Sequence, residues 1–477
     1  MRFSRRRPDE PEINLIPFID VLLVVLIFLM LSTTYSRFTE LQVNLPSANS
    51  ERLRERPGEI IVSVAADGRY AVNRQPIDGR SVDLLATELR QAAGGRDDAV
   101  VIISADATAA HQSVVNVLDA ARRAGLRRLT FATPAARARD RLLATWYRAQ
   151  PDALATALRP LAALYGLLQR RDRRQRERQA LQRPQPGCPV VVVGNLVLGG
   201  AGKTPTTIAL VQALRAAGLR PGVVSRGHGR AGGAVAGVTA EADPRAVGDE
   251  PLLIRRRTGV PVVVGRDRVA AALALLRDHP EVDVVIADDG LQHRQLRRDV
   301  EVLVFDERGI GNGLLLPAGP LREPLGPAPG PSTLVLYNHD CASTSWPGHL
   351  ARRRLGGAWP LGRWLAGMAG APQPLSALRG RPLLAMAGIA VPGRFFAALE
   401  AAGLQIERLP LPDHHAYGGA APWPGGTREV VTTEKDAVKL AAWAGGEVAV
   451  WVVGLDLELP ADFVAALLAR LPRAAAP

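Results

Sequence analysis

The apolar and polar positions of this chain fall into distinct regimes. From 13 to 31 the run INLIPFIDVLLVVLIFLML is almost wholly apolar and long enough for one membrane crossing, so it predicts a transmembrane helix. Residues 35–56 are polar and charged, as in a linker. From Ile60 the period shortens. IIVSVA, RYAV, AVVIIS and LRRLTFAT read as strands, and SVDLLATELRQAA and HQSVVNVLDAARRAG as helices, which together make a small α/β unit ending near Pro134. Further on, Leu154, Leu158, Leu161, Tyr165 and Leu168 recur at steps of three and four and form one helical apolar stripe. Beyond Cys188, strand-like runs at 189–193, 221–225, 260–264, 282–287, 300–305 and 333–337 alternate with helical ones. That alternation predicts a parallel sheet with crossover helices. A Pro/Gly-rich stretch (310–331) and a low-order stretch (340–374) interrupt it, and a smaller α/β lobe begins at 381–390.

Charge changes the picture at two places. The net charge of +13 is almost all arginine, 56 residues against three lysines. Nucleic-acid binding does not follow from it; arginine-rich faces beside a membrane segment meet anionic head groups or phosphorylated substrates. Arg2, Arg5, Arg6 and Arg7 precede the apolar run and Arg37 follows it, which sets the N-terminus in the cytoplasm. The stripe at 154–168 continues into RRDRRQRER (170–178). Such a segment suits an interfacial helix on an anionic membrane, and equally a helix packed on the next domain. Cys188 and Cys341 are far apart and imply neither a disulfide framework nor a zinc site.

The strongest chemical signal is VVVVGNLVLGGAGKT (190–204), a buried strand, a glycine-rich turn and a helix start. Free backbone N–H groups and the positive end of the helix dipole converge there on one anion site. The loop Gly194, Asn195, Gly199, Gly200, Ala201, Gly202, Lys203 and Thr204 is the expected nucleotide cradle. Lys203 offers a cation to the β/γ-phosphates and Thr204 a hydroxyl to Mg²⁺. The strict pattern would have glycine at 197, where this chain has Val197, and Leu198 stands where partition-type ATPases carry a lysine. VDVVIADDGLQHR (282–294) sets Asp288 and Asp289 just beyond a strand, within reach of that metal, one acid for metal and the other for the loop. In AVGDEPLLI (246–254) Asp249 and Glu250 open a helix, and LPDHHAY (411–417) holds a histidine pair. A carboxylate and an imidazole brought together activate a hydroxyl by general base catalysis. Asp20 lies inside the apolar run, where an ionisable group faces a protein interior or proton path unless it sits near enough the interface to stay hydrated.

These motifs carry two resemblances. INLIPFIDVLLVVLIFLML followed by a small α/β domain, over 1–134, resembles the ExbD/TolR family of proton-driven energy-transducing complexes. That likeness implies a proton-responsive Asp20 and a multi-span ExbB/TolQ-type partner. RPLAALYGLLQRR (159–171), GNLVLGGAGKTP, SRGHG (225–229), VGDEP (247–251), DDGLQH (288–293), PAGPLREP (317–324), PDHH (412–415) and TTEKDAVKL (432–440) resemble, in order, the lipid A 4′-kinase family over roughly 145–477. The resemblance implies ATP and Mg²⁺, a lipid A disaccharide precursor as acceptor, and a membrane-facing first helix. It also implies roles by residue. Lys203 and Thr204 are the P-loop pair, and Asp249 with His414 the base pair. Asp288 is the metal acid and Asp289 the nucleotide acid. Arg322 and Glu323 line the cleft, with His293 a further cleft residue. His228 departs from the family's usual tyrosine.

The expected architecture is thus α/β throughout. It comprises a transmembrane N-terminus (1–34), an ExbD/TolR-like domain (35–134), a linker with a surface helix (135–187), a P-loop kinase core (188–375) and a C-terminal lobe (376–477), with a cleft between the lobes that excludes water. The expected location is the bacterial inner membrane, with the kinase on the cytoplasmic face and 35–134 periplasmic. One crossing then sets the two halves on opposite sides, so either 152–169 crosses back or the halves separate after synthesis. The alternative reading is a P-loop ATPase that powers transport with a proton-coupled membrane partner.

Overall fold

A computed structural model describes residues 59–65, 69–73, 75–77, 81–94, 99–105, 111–126, 128–131, 141–367, 371–413, 415, 417 and 421–472. The apolar run with Asp20, the 35–56 linker and His414 lie outside the described residues. Among the described residues no helix is long and apolar enough to cross a membrane. The chain forms two compact units, Met1–Ala132 and Thr133–Pro477.

In the first unit β1 (Glu59–Val64), β2 (Tyr70–Val72), β3 (Gln75–Pro76), β4 (Val100–Ala105) and β5 (Arg128–Phe131) form one sheet in the order β3-β2-β1-β4-β5. Alternation sorts the strand side chains: Ile60 and Val62 are buried while Ile61 is 38% exposed. The buried face packs on Leu85 and Leu89 of α1 (Val82–Ala93) and Val117 of α2 (His111–Arg123). The short strand β3 escapes the sequence pattern. Its two residues are exposed and polar or cyclic, and only pairing with β2 makes them a strand.

In the second unit a helical segment at 141–146 precedes α3 (Ala153–Ala180), which is capped by Asp152, whose side chain accepts from the Ala155 N–H. The apolar stripe lies half-buried, with Ala155, Ala162 and Gly166 fully covered, so it packs on its own unit; a Cβ at Gly166 would meet Leu315 at 2.9 Å. A different face carries the exposed Leu164 and Leu167, next to exposed Arg170, Arg171, Arg174 and Arg178.

The main sheet takes β6 (Val190–Gly194), β7 (Pro221–Ser225), β8 (Ala236–Gly237), β9 (Val262–Val264), β10 (Val284–Ala287), β11 (Val300–Phe305), β12 (Thr333–Tyr337) and β13 (His349–Leu350). Their order is β13-β12-β11-β6-β10-β7-β9-β8, parallel except at the β8 edge. The predicted strands therefore occur, with β6 central and every one of its residues buried. Helix α4 (Lys203–Ala216) follows the glycine loop and is buried nearly all round from Thr206 to Val211, as a helix between two sheets must be. The remaining crossover elements are α5 (Pro244–Val247), α6 (Asp249–Thr258) and α7 (Arg268–Asp278).

The second sheet combines β14 (Arg352–Pro360), β15 (Leu383–Ala387), β16 (Ile406–Pro410), β17 (Glu429–Thr433) and β18 (Ala449–Glu458) in the order β14-β18-β17-β15-β16. It is not a detached lobe. Val191 and Val193 of β6, Leu210 of α4, Met386 of β15 and Val452 of β18 belong to one hydrophobic cluster. The stretch expected to be low-order supplies β14 and then α8 (Leu361–Leu365), whose Trp364 is fully buried. RRRLGGAWP has no apolar period of its own; antiparallel pairing with β18 makes it a strand. The short α10 (Glu434–Ala437), which follows α9 (Pro392–Ala401) in the chain, and α11 (Ala461–Arg470) complete the unit.

Arg257 of α6 ties the two sheets. Its Nη1 lies 2.8 Å from both Glu434 carboxylate oxygens and its Nη2 2.5 Å from Asp456, while Trp364 Nε1 also donates to Glu434. Removing one partner of a buried pair strands the other charge. Glu434→Ala is therefore expected to lower unfolding free energy by about 3–5 kcal/mol, and Arg257→Met/Glu434→Leu to recover part of that loss, both read by urea denaturation.

Candidate active site

The glycine loop leaves the carboxyl end of β6, where the strand order places ligands in a doubly wound sheet. A Cβ on Gly194 would lie 2.4 Å from Leu291 Cβ, so glycine lets the DDGLQH segment close on the strand. Gly202 has φ +84°, and a Cβ there would strike Asn338 Nδ2 at 2.5 Å. That amide donates to Ala201 O at 3.0 Å, and Arg308 Nη2 donates to Gly200 O at 2.7 Å. Asn195 is fully buried; its Nδ2 donates to Gly199 O and its Oδ1 accepts from Lys203 Nζ at 3.1 Å. Lys203 and the half-buried Thr204 are the first two residues of α4, at the positive end of its dipole. Val197 is 1% exposed, bridges to Leu321 and packs with Phe305 and Tyr337, which explains why glycine is not needed there.

The paired acids part company. Asp288 is 1% exposed and accepts from Thr207 Oγ1 at 2.8 Å and Ser225 Oγ at 3.2 Å, bracing α4 against the end of β7. Burial, with Glu250 and Asp289 nearby, pushes its carboxyl up to about 6. Asp289 adopts φ +47°, uncommon for a non-glycine residue, and lies 3.4 Å from Lys203 and 3.9 Å from Arg322. Burial opposes its ionisation, but Lys203 and Arg322 outweigh it and hold the carboxyl below the ordinary range. The oxygen that faces both cations is the buried Oδ1, an anionic oxygen of the kind a divalent cation takes.

Arg322 and Glu323 reach the loop through the backbone: Arg322 N donates to Leu196 O at 2.7 Å and Leu198 N to Pro320 O at 2.9 Å. Glu323 is 4% exposed and pairs with Arg294 at 2.8 Å, beside Gln292 and Arg173. Tyr165 of α3 donates to Arg322 O at 3.0 Å, so the stripe helix touches this segment directly. Burial, then Arg268, Arg226 and Arg176, push the His293 imidazole down to about 3, which keeps it neutral.

Asp249 and Glu250 form the first turn of α6, where SRGHG abuts them: a Cβ on Gly248 would stand 3.0 Å from Gly227 Cα. Lys439 Nζ lies 2.9 Å from Asp249 Oδ2, and Lys435 Nζ lies 3.6 Å from Glu250 and 3.2 Å from Asp413. Burial opposes the charge on Lys435, but Glu250 and Asp413 outweigh it and hold the ammonium above its ordinary value. His414 itself lies outside the described residues, flanked by Asp413 and His415, which are described.

Sequence reasoning missed several members of this site. Asn338 follows a buried strand with no motif to mark it. Arg268 is 2% exposed, donates to Gly265 O, faces both acids and has Nε and Nη2 buried without hydrogen-bond partners among the described residues. Burial pushes it down to about 10, and nothing in the sequence separates it from the other arginines. Lys435 and Lys439 carry two signals, the scarcity of lysine and their place in TTEKDAVKL, but neither assigns them a role.

The family model described as tetraacyldisaccharide-1-P 4′-kinase matches residues 154–472. The chain belongs to that family. Tetraacyldisaccharide 4′-kinase of Leptothrix cholodnii is 54% identical over 340 residues, covering 70% of this chain and 97% of the relative. The kinase of the same name from Methylibium petroleiphilum is 56% identical over 328 residues, covering 68% and 90%. LpxK from Aquifex aeolicus, solved in complex with ATP, is similar at 27% identity and a TM-score of 0.54, over 66% of this chain and 99% of that one. Residues 6–136 match the model described as biopolymer transport protein ExbD/TolR.

Because the folded value of Asp288, about 6, exceeds the unfolded value near 3.8, the folded state holds the extra proton between these limits. The stability contributed by this group is then present below the lower value and lost as pH rises through the upper one. Compared with Asp288→Asn, the unaltered protein is expected to lose stability from pH 3.8 to about 6 and to hold level above, as read by urea denaturation across that range.

Proposed function

We propose that this chain is an ATP-dependent kinase that phosphorylates the 4′-hydroxyl of tetraacyldisaccharide 1-phosphate to give lipid IVA, a step of lipid A biosynthesis. The observation that carries the reading is the pairing, in one unit of a chain of this family, of a P-loop ion pair (Lys203–Asp289) with an acidic helix start (Asp249, Glu250) whose Glu250 carboxylate acts on Asp288.

Phosphoryl transfer depends on positioning and charge neutralisation more than on covalent chemistry. Lys203 and the loop amides hold the β/γ-phosphates. Mg²⁺, when bound, neutralises phosphate charge, and Asp289 with Thr204 are the residues to hold it. The sequence reading gave the metal to Asp288, but both Asp288 oxygens already accept hydroxyl hydrogen bonds, which favours Asp289. Arg322 adds positive charge beside Asp289, and Glu323 braces that segment. Asp249, with His414, takes the proton of the attacking hydroxyl. The exposed Leu164, Leu167 and neighbouring arginines of α3 support seating of the helix on an anionic inner-membrane surface, at the level of the lipid acceptor.

The match over 6–136 supports a second activity for the first unit, a proton-responsive ExbD/TolR-type role with Asp20 as the titrating carboxylate and an ExbB/TolQ-type partner. Asp20→Asn is expected to abolish proton-driven uptake in cells that depend on this chain; full uptake would leave the segment as an anchor.

For the kinase, the full chain in detergent is incubated with radiolabelled ATP and the lipid disaccharide. Lys203→Ala and Asp249→Ala are each expected to cut transfer by about 10²–10³-fold or more. Near-normal turnover in either variant refutes the assignment. ATP hydrolysis by the unaltered protein without label in the lipid supports a transport ATPase instead.

A further inference from the structure

Lysine is the scarce cation here, three residues against 56 arginines, and all three lysines sit in this site. Lys203 belongs to the nucleotide loop. We propose that Lys439 is a positioning residue that fixes the Asp249 carboxylate and the backbone beside His414 in one frame, an inference that rests on the kinase reading above.

Lys439 Nζ lies 2.9 Å from Asp249 Oδ2 and donates to His415 O at 3.2 Å, with the Tyr417 ring 5.8 Å away on its flank. Tyr417 in turn donates to the fully buried Asp436 at 2.8 Å, which also accepts from Gly388 N at 3.0 Å and Thr433 Oγ1 at 2.7 Å. The end of the histidine loop is thereby anchored to β15 and β17, and Lys439 carries that anchorage across to α6. Lys435, four residues earlier, repeats the device by joining Glu250 to Asp413. Each lysine joins one acid of α6 to one point of the loop. The side chains of Lys439 and Asp249 are only 10% and 16% exposed, so solvent screens their attraction weakly.

The choice of lysine over arginine has a chemical reason. An ammonium is a compact donor with three N–H groups on a flexible stem; it grips one carboxylate oxygen and turns another N–H to a carbonyl. A guanidinium is a planar fork that chelates both oxygens of a carboxylate. A fork that chelates the Asp249 carboxylate holds its N–H groups in one plane and gives up the single-point grip that is shared with His415 O. The same ammonium, by holding His415 O, ties the backbone at His415 to the Asp249 carboxylate.

The test uses the full chain in detergent with the lipid disaccharide and radiolabelled ATP. Lys439→Met is expected to lower kcat by about 10²-fold with both KM values within about twofold and the thermal midpoint kept. Lys439→Arg, which keeps the charge, is expected to stay at the level of the Met variant. Recovery by Arg to within about threefold of the unaltered enzyme, or a Met defect confined to KM, overturns the proposal. If the Met variant does not fold, the Arg variant decides alone: folded, ATP-binding and inactive supports the proposal, and folded and active overturns it. Should the unaltered chain transfer no phosphate, it is the kinase reading that fails, independently of these variants.

Discussion

The charged face of helix α6 is the constraint on which the second unit depends. Asp249 and Glu250 at its start and Arg257 near its end meet Lys439, Lys435 and Glu434, all within six residues of one another in the segment after β17. These pairs are largely sheltered from water, so each charge is tolerable only with its partner in place. One seam thus does two things. It fastens the second sheet to the main one, and it fixes the Asp249 carboxylate that we propose activates the acceptor. Fold stability and site geometry share the same residues.

On the nucleotide side the determining factor is backbone crowding. Gly194 and Gly202 stand where a side chain would meet Leu291 or Asn338, and Val197 stands where a side chain must fill the cluster around Phe305. The departure from the strict loop pattern is therefore a packing requirement rather than a weakened phosphate site. Environment also divides labour between adjacent acids. Asp288, fully buried with Glu250 and Asp289 nearby, resists ionisation, whereas Asp289, beside Lys203 and Arg322, favours it. Two identical side chains acquire different chemistry from their neighbours alone.

Helix α3 links the membrane question to the site. The stripe legible in the sequence is the face that packs inward, through Gly166 and Tyr165 against the 315–322 segment. The face available to a bilayer is a different one, with Leu164 and Leu167. Of the two settings the pattern left open for the stripe, the fold takes packing on its own unit, because steps of three and four define a stripe without saying which neighbour covers it.

The sequence by itself determined the α/β character of both units, the positions of the buried strands β6, β7 and β9 to β12, the glycine loop that opens helix α4 at Lys203 and Thr204, and the ordered motifs that mark the family. Those features are local: a β-branched run, a glycine turn and a helix start act within a few residues. Tertiary structure alone decided that RRRLGGAWP is a strand, because its pairing partner lies about a hundred residues away at β18. Only the fold separated Asp288 from Asp289, brought Asn338 and Arg268 to the loop and the acids, and set Lys435 and Lys439 against α6. Burial and long-range pairing are properties of the packed chain, and no window of sequence contains both partners.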